Sequence, residues 1–317
     1  MNRFVRQLLP FGTLTLIIAA LSALEPDTFL TAENFSNVLS RSSYSGIIAM
    51  GMTAVIISGG IDLSVGSMMA LCGMVGAWAM LQAGGPAPGP GVMFLGTLVG
   101  VAVGLACGLL NGSLITLLNL PPFIVTLGTM SAFRGLSYVM NKGMMFDVPT
   151  YKFLGQGALL GLPVSVLLFG GIALLAFFLL RYTPLGRYTY AIGSNRQAAY
   201  HAGVNVKRNL IAIYALTGLF VGLAAMIATS RTVSAQPTAG ISLELDIIAA
   251  VVIGGASLSG GRGTITGTII GTLLINFLRN GLTLLGISTH LQFVVIGAII
   301  IGAVALDQAA RAKAQTA

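Results

Sequence analysis

The amino-acid sequence predicts an all-α integral membrane protein with about ten transmembrane helices and an internal repeat of inverted topology. Only 8% of the 317 residues are charged and 56% are hydrophobic, whereas a soluble domain carries about 25% charged residues. The mean hydropathy is +0.93, and several apolar runs approach the roughly 20 residues that a helix needs to cross a bilayer. We therefore expect a single transmembrane domain over residues 1–317.

Ten apolar segments are the predicted spans. They cover residues 8–24, 44–59, 64–83, 92–118, 123–140, 163–181, 209–229, 244–258, 264–285 and 290–307. The run 44–59 is short for a full crossing, so it is either tilted or continued irregularly through Gly59 and Gly60. The first segment follows Arg3 and Arg6, as a signal peptide would, but it has no small-residue cleavage site, and we expect it to be retained.

The distribution of basic residues predicts the orientation. With the N-terminus in the cytoplasm, ten crossings bring the basic loop 182–208, Arg262 and the tail residues Arg311 and Lys313 to the cytoplasmic side, as the excess of Lys and Arg in cytoplasmic loops requires. The C-terminus is then cytoplasmic as well. This topological role explains the net charge of +8 without a nucleic-acid partner, since the basic residues form no patch.

Three short motifs recur in the same order in the two halves of the chain. "GIDLSVGSMMA" from Gly60 resembles "GISLELDIIAA" from Gly240, "GTLVG" at 96–100 resembles "GTIIG" at 267–271, and "FIVTLG" at 123–128 resembles "FVVIG" at 293–297. The offset is five predicted spans, so the halves, 44–140 and 209–307, would have opposite orientations. Inverted repeats of this kind are a common transporter architecture.

Catalytic, metal and cofactor sites are not expected. The glycine-rich stretch 254–263 lacks the lysine of a phosphate-binding loop, so any ATP-driven activity needs a separate ATPase chain. Cys72 and Cys107 lie in apolar runs and are expected to pack there. His201 and His290 are far apart in sequence and suggest no shared site.

Ionisable residues in apolar segments are costly in a membrane and are therefore informative. Asp62 is expected either to cap the following helix or to line a translocation path. Glu244 and Asp246 are expected to complement a helix N-terminus. Arg279 is expected to extend its charged end toward the membrane surface, and Arg134 either has a buried partner or lines a pore.

One polar segment interrupts the hydrophobic chain at residues 190–209, "YAIGSNRQAAYHAGVNVKRN". Ser194 and Asn195 are suited to cap a helix N-terminus, residues 196–202 are mostly helix formers, and Gly203 is a suitable stop. The segment therefore predicts a short cytoplasmic helix between spans six and seven, at the junction of the two repeat halves. It is either a docking element for a partner or an ordinary solvated connector.

Four motifs resemble those of a known family. "AIGSNRQAAYHAGVNV" is similar to the cytoplasmic coupling loop of permease subunits of ABC-type sugar importers. "SGGIDLSVGS", "LELDIIAAVVIGGASLSGGRGT" and "NLPPFIVTLGTM" resemble further motifs of the ribose-type members, within the wider group that includes branched-chain amino acid permeases. The resemblance covers essentially the whole chain in family order.

The resemblance implies the function and the partners. The chain would be a non-enzymatic permease subunit for a monosaccharide, a pentose or a hexose, in the bacterial inner membrane. It would assemble with a second permease chain, identical or paralogous, with two ATP-binding cassette subunits and with a soluble sugar-binding protein, among membrane lipids. The residues carried over to ATPase coupling are Gly193, Ser194, Asn195, Arg196, Ala198, Ala199, Tyr200 and Gly203. The path between the two permeases would be lined by Asp62, Ser64, Asn111 and Phe123.

Two other classes of function remain open from the residues alone. Inverted repeats also occur in ion-coupled secondary transporters, although the predicted spans are poor in ionisable residues. A non-transporting receptor or scaffold is the third class. The loop 141–162 is expected either to carry a small element that meets a soluble partner or to be a plain solvated loop.

Overall fold

The computed structural model describes residues 3–315, which are mostly helical. The helices in this range are α1 (Arg3–Leu24), α2 (Pro26–Phe29), α3 (Ala32–Ile57), α4 (Val65–Gly84), α5 (Pro90–Leu117), α6 (Pro122–Met140), α7 (Phe153–Gln156), α8 (Val164–Tyr182), α9 (Pro184–Ser194), α10 (Arg196–His201), α11 (Val206–Thr232), α12 (Leu243–Ile253), α13 (Ile265–Leu284) and α14 (Thr289–Gln315). The strands are β1 (Phe146–Asp147), β2 (Ala158–Leu159), β3 (Leu162–Pro163) and β4 (Ser234–Ala235). The side chains of Arg3, Arg6, Arg311 and Lys313, which support the predicted orientation, lie outside the described part.

Each of the ten predicted spans overlaps one helix. Within the described residues, α4, α5, α6, α8 and α11 are long and apolar enough to cross a membrane by length and composition. Several of the predicted boundaries differ from the structure, and two of the differences change the interpretation of a span. Helix α3 begins at Ala32, twelve residues before the predicted start, and α12 has only 11 residues because it ends before Gly254. At 1.5 Å per residue, α12 spans about 16 Å, roughly half of the hydrocarbon core.

The polar start of α3 is helical because its serines bond to their own helix. The hydroxyls of Ser42 and Ser43 donate to the carbonyl oxygens of Val38 and Leu39, each at 2.8 Å. This bonding to a carbonyl four residues earlier lets a serine be buried without an unpaired polar group. Ser42 and Ser43 are fully buried, so the predicted span 44–59, which is short for a full crossing, belongs to a 26-residue helix that begins earlier.

Helix α11 lies at the centre of the bundle and packs against α3, α4 and α5. Its closest neighbour is α5, which carries a glycine at every fourth position. These glycines are Gly96, Gly100, Gly104, Gly108 and Gly112. A Cβ added to Gly104 would overlap the carbonyl oxygen of Gly218 on α11, and one added to Gly218 would overlap that of Gly104. The two backbones are therefore in direct contact, as small residues allow between membrane helices.

The loop 141–162 carries secondary structure and packs on the bundle. Strand β1 pairs antiparallel with β4, with Phe146 opposite Ala235. Val148 is fully buried, and Tyr151 is 3% exposed with its hydroxyl 2.7 Å from that of Thr97. Burial raises the pKa of Tyr151 to about 12. Of the two alternatives for this loop, the structure contains the small ordered element.

Candidate functional site

The short helix predicted in the polar segment is present as α10, with the expected caps. Asn195 is the N-cap, and its Oδ1 accepts a hydrogen bond from the backbone N–H of Ala198 at 2.9 Å. Gly203 follows the helix with a φ of +84°, a left-handed conformation that favours glycine. Its backbone N–H donates to the Tyr200 carbonyl at 3.0 Å. Ser194, the other predicted cap, is instead the last residue of α9.

Helix α9 was not predicted, although its sequence contains a signal for it. Pro184 occupies its first position, where the missing N–H has no helical partner to lose. Gly186, Thr189 and Ile192 are the buried residues of this helix. Their spacing of three places them on one face, which is typical of a helix lying on a protein surface. Together α9 and α10 form a helical pair between α8 and α11.

Three chain segments meet at Gly193, near the end of α9. The backbone N–H of Gly261 donates to the carbonyl oxygen of Ile57, at the end of α3, at 2.8 Å. A Cβ on Gly193 would overlap that same oxygen and would lie 2.6 Å from the Gly261 nitrogen. The hydroxyl of Tyr190 donates to the Gly263 carbonyl at 2.8 Å, and burial raises the pKa of this phenol. The α9–α10 pair is thus fixed to α3 and to the segment 254–264.

Helix α10 presents a mixed polar and aromatic face to its surroundings. Its exposed residues are Arg196, Gln197, Ala198, Tyr200 and His201. Tyr200 is 69% exposed, whereas Ala199 is 5% exposed and packs in the core of the bundle. Ala199, one of the residues carried over to ATPase coupling, thus packs inward, and the exposed face of the helix is formed by its other residues. Gly193 also packs within the chain, against the backbones of Ile57 and Gly261.

Three of the four predicted path residues come together in the structure. Asp62 Oδ1 accepts hydrogen bonds from the backbone N–H of Ser64 at 2.9 Å and from its hydroxyl at 2.6 Å. The amide nitrogen of Asn111 donates to the same hydroxyl at 2.8 Å. All three side chains are fully buried. Phe123 is not part of this group, since it is 52% exposed at the start of α6.

This buried cluster fixes the break between α3 and α4. Asp62 holds Ser64, the residue that precedes α4, so the capping alternative for Asp62 is the one that the structure supports. Asp62 Oδ2 and Asn111 Oδ1 are buried and have no partner among the described residues. The cluster lies inside the bundle and does not line the cavity described below. The four residues therefore form no continuous lining in this conformation.

Replacement of Asp62 by alanine is expected to destabilise the protein. The substitution leaves two buried donors of Ser64 without their acceptor, and each unpaired buried donor costs about 1–3 kcal/mol. The thermal unfolding midpoint in detergent measures the effect. Asp62→Asn retains a carbonyl oxygen and should be milder, and Asp147→Ala, at an exposed position, is the matched control. An Asp62→Ala midpoint equal to that of the wild type would contradict the assigned role.

Two arginines of the apolar segments have buried partners. Arg279, which was expected to extend toward the membrane surface, forms an ion pair with Asp246. Its Nη2 lies 2.8 Å from Asp246 Oδ1, and the two side chains are 15% and 14% exposed. Arg134 donates through Nη1 to the carbonyl oxygens of Pro237 and Ala239, at 2.6 and 2.8 Å. The Arg134 side chain therefore holds the segment between β4 and α12. Of the two alternatives for this residue, a buried partner or a role in a pore, the contacts favour the buried partner.

Comparison of the sequence with known proteins shows the family of this chain. The model of the family described as branched-chain amino acid transport system / permease component matches residues 34–304. The ribose import permease protein RbsC of Bacillus subtilis is 46% identical over 308 residues, covering 96% of this chain and 93% of the relative. No solved structure matches this chain.

Relatives named for other sugars are also similar over nearly their whole length. The D-allose transport system permease protein AlsC of Escherichia coli is 39% identical over 303 residues, covering 94% of this chain and 90% of the relative. The xylose transport system permease protein XylH of Haemophilus influenzae is 34% identical and covers 95% of each chain. The family match, residues 34–304, spans α10 and the Asp62 cluster.

Proposed function

The chain belongs to the branched-chain amino acid transport system / permease component family and is a ribose-type ABC importer permease, and from this premise we propose that its substrate is ribose. The observation that carries the proposal is the 46% identity to a ribose import permease over 96% of the chain. Allose and xylose are the sugars named for more distant relatives. The chain is a multi-pass membrane permease, and ATP hydrolysis belongs to a separate subunit.

We propose that α10 is the coupling helix and that it docks on the ATPase subunit. Two observations support this role. The exposed face of α10 offers the guanidinium of Arg196 and the ring of Tyr200 to a partner. Behind it, Gly193 contacts both the end of α3 and the segment before α13. A partner that moves α10 therefore moves both parts of the bundle, which a flexible loop would not do.

The placement in the membrane follows from the same assignment. With α10 on the ATPase, the loop 182–208 and both termini are cytoplasmic in a bacterial inner membrane. The ten predicted spans then cross it, and the short helix α12 does so together with the non-helical segment that follows it. The loop 141–162 then faces the soluble sugar-binding protein at the opposite end. Its exposed apolar side chains, among them Met144, Phe153 and Leu160, support a docking role there.

The inverted repeat of 44–140 and 209–307 is supported by a central contact. The segments before α4 and α12 are both non-helical, and both contain matched motif residues. The segment before α12 contacts the first turn of α4, where a Cβ on Gly240 would lie 3.0 Å from the Gly66 Cα. Broken helices in corresponding positions of two halves are a typical feature of transporters. The sugar path is proposed to run between this chain and a second permease, which moves relative to it during transport.

Uptake in reconstituted vesicles tests the proposed function. The permease is purified with its ATPase subunit, inserted in liposomes, and supplied with binding protein and labelled ribose. Accumulation is expected only with ATP on the ATPase side, and unlabelled ribose should compete better than allose or xylose. Liposomes without ATP and liposomes without binding protein are the controls.

The alternative functions give different results in the same system. An ion-coupled transporter would accumulate ribose through the permease alone when a sodium or proton gradient is applied. A receptor or scaffold would give no uptake under any energisation. Preferential uptake of allose or xylose would contradict the assignment of ribose while leaving the importer itself intact.

A further inference from the structure

One cavity in the described part of the chain has a volume of about 480 Å³ and is lined by residues of a single copy. It is bounded by α3, α4, α11, α12 and α13. Its lining residues on α11, which include Ala228 and Thr229, are near the end of that helix farthest from α10. The volume is within the range of about 300–1,000 Å³ that is usual for small-molecule sites.

Two residues that line this cavity each carry a buried polar atom without a hydrogen-bond partner. Thr272 lines it with a side chain that is 1% exposed, and its Oγ1 has no hydrogen-bond partner. Arg279 also lines the cavity, and its Nε is buried without a partner. Native proteins pair the large majority of such buried polar atoms. Both atoms therefore require a partner from outside the described chain.

A third polar residue, Asn276, has a free acceptor beside them. Its amide nitrogen is occupied, since it donates to Ser45 Oγ at 3.1 Å and to the Thr272 carbonyl at 2.9 Å. No donor among the described residues bonds its Oδ1. The three side chains lie within eight positions of α13 and together supply a hydroxyl, an N–H donor and a carbonyl acceptor. This combination suits hydroxyl groups, which both donate and accept.

The charges favour a neutral ligand in the inner part of the cavity. Arg279, the cation nearest to Thr272 and Asn276 along α13, is neutralised by Asp246 at 2.8 Å. The other charged lining residues are Arg41, which is exposed, and Arg231, which is half-buried. Met69, Ile247 and Ile275 add apolar surface. Ligand sites of this type combine a mainly apolar lining with a few convergent polar groups.

The cavity also adjoins the break before α12. Ile241 and Leu243 line it, and Ser242 between them has a φ of +60°, an uncommon conformation for a residue with a side chain. In transporters built from inverted repeats, substrates bind where helices are discontinuous. The position of the cavity and the polar groups of its lining thus both indicate a ligand site.

We propose that this cavity is a sugar-holding site in each permease chain, separate from the path between the two copies. It takes one neutral monosaccharide, whose hydroxyls pair with Thr272 Oγ1, Arg279 Nε and Asn276 Oδ1. The identity of the sugar rests on the proposed function, whereas the presence of a site does not. Binding is weak, because a transporter must release its substrate.

Direct binding to the full-length permease tests this site. The wild type in lipid nanodiscs, without ATPase or binding protein, is expected to bind labelled ribose saturably. Thr272→Val removes the hydroxyl at nearly constant volume, and Ala228→Leu fills the cavity from α11. Each variant should weaken binding at least about tenfold, the equivalent of one lost hydrogen bond of roughly 1.4 kcal/mol. Ala212→Leu, a partly buried α11 residue outside the cavity lining, is the matched control and should bind as the wild type does.

The outcomes separate this inference from the proposed function. No saturable binding by the wild type, or equal binding by wild type and Ala228→Leu, overturns the holding site even if ATP-driven uptake is present. Saturable binding that Ala228→Leu and Thr272→Val weaken supports the site even if uptake fails. Displacement of ribose by ribose 5-phosphate at lower concentration than by unlabelled ribose overturns the assignment of a neutral ligand. Retention of the size-exclusion profile by each variant shows that it is folded.

Discussion

Combined replacement of Arg196 by glutamate and Tyr200 by alanine is expected to reduce ribose uptake to background. Both side chains are exposed on α10, so the substitutions remove a charge and a ring from the proposed ATPase contact without opening the core. Buried Tyr and Arg side chains are often the residues that contribute most to a protein interface, at about 2 kcal/mol or more each. A change from a cation to an anion also introduces repulsion wherever the partner is acidic.

The measurement is ATP-driven uptake in liposomes, together with ATP hydrolysis stimulated by the binding protein. Stimulation should fall in parallel with uptake, whereas the isolated ATPase subunit is unaffected. Leu174→Ala and Phe178→Ala remove exposed side chains of α8, outside both proposed docking surfaces, and should leave coupling intact. Unaltered uptake and hydrolysis in the double variant would exclude α10 as the docking helix.

Replacement of Gly218 by alanine is expected to prevent stable folding. A Cβ at this position would overlap the carbonyl oxygen of Gly104 and would lie 2.9 Å from the backbone Cα and nitrogen of Gly108. These atoms belong to the backbone of α5, so no side-chain rotation relieves the clash and the two central helices must separate. Overpacking of this kind costs about 3 kcal/mol, a large fraction of the stability of a typical domain.

Recovery of monodisperse protein after heating in detergent measures this effect. Gly170→Ala is the matched control, since Gly170 lies within α8 and has no atom within 4 Å of an added Cβ. Alanine is favoured over glycine in a helix by about 1 kcal/mol, so the control should be as stable as the wild type or more stable. If Gly218→Ala and Gly170→Ala were recovered equally well, the close α5–α11 contact would be wrong.

The sequence predicted α10 well because its formation depends on neighbours in the chain. The cap of Asn195 reaches a backbone N–H three residues later, and Gly203 adopts its left-handed conformation independently of the bundle. That the ten apolar runs form helices was also predictable, because a helix pairs its backbone groups within one segment and only such a backbone is stable in hydrocarbon. The family was also accessible, because four motifs in order carry it.

The site residues were harder to predict because their roles depend on contacts between distant segments. Asn111 bonds Ser64 across 47 positions, and Arg279 bonds Asp246 across 33. Neither pairing leaves a periodic pattern in the sequence. For this reason Arg279 was expected at the membrane surface, and Asp62 remained open between a cap and a path.

The amino-acid sequence by itself determined that this protein is a helical membrane permease with one short, capped helix, α10, in the middle of the chain. Hydropathy, charge distribution and capping are properties of single segments, and they need no knowledge of what packs against them. Only the tertiary structure decided that Ala199 points inward while Tyr200 points outward, and that Gly218 contacts Gly104. It also decided that Thr272 and Arg279 border a common cavity. Those relations arise when separate helices pack together, and in an apolar bundle many alternative pairings are compatible with the same hydrophobic pattern.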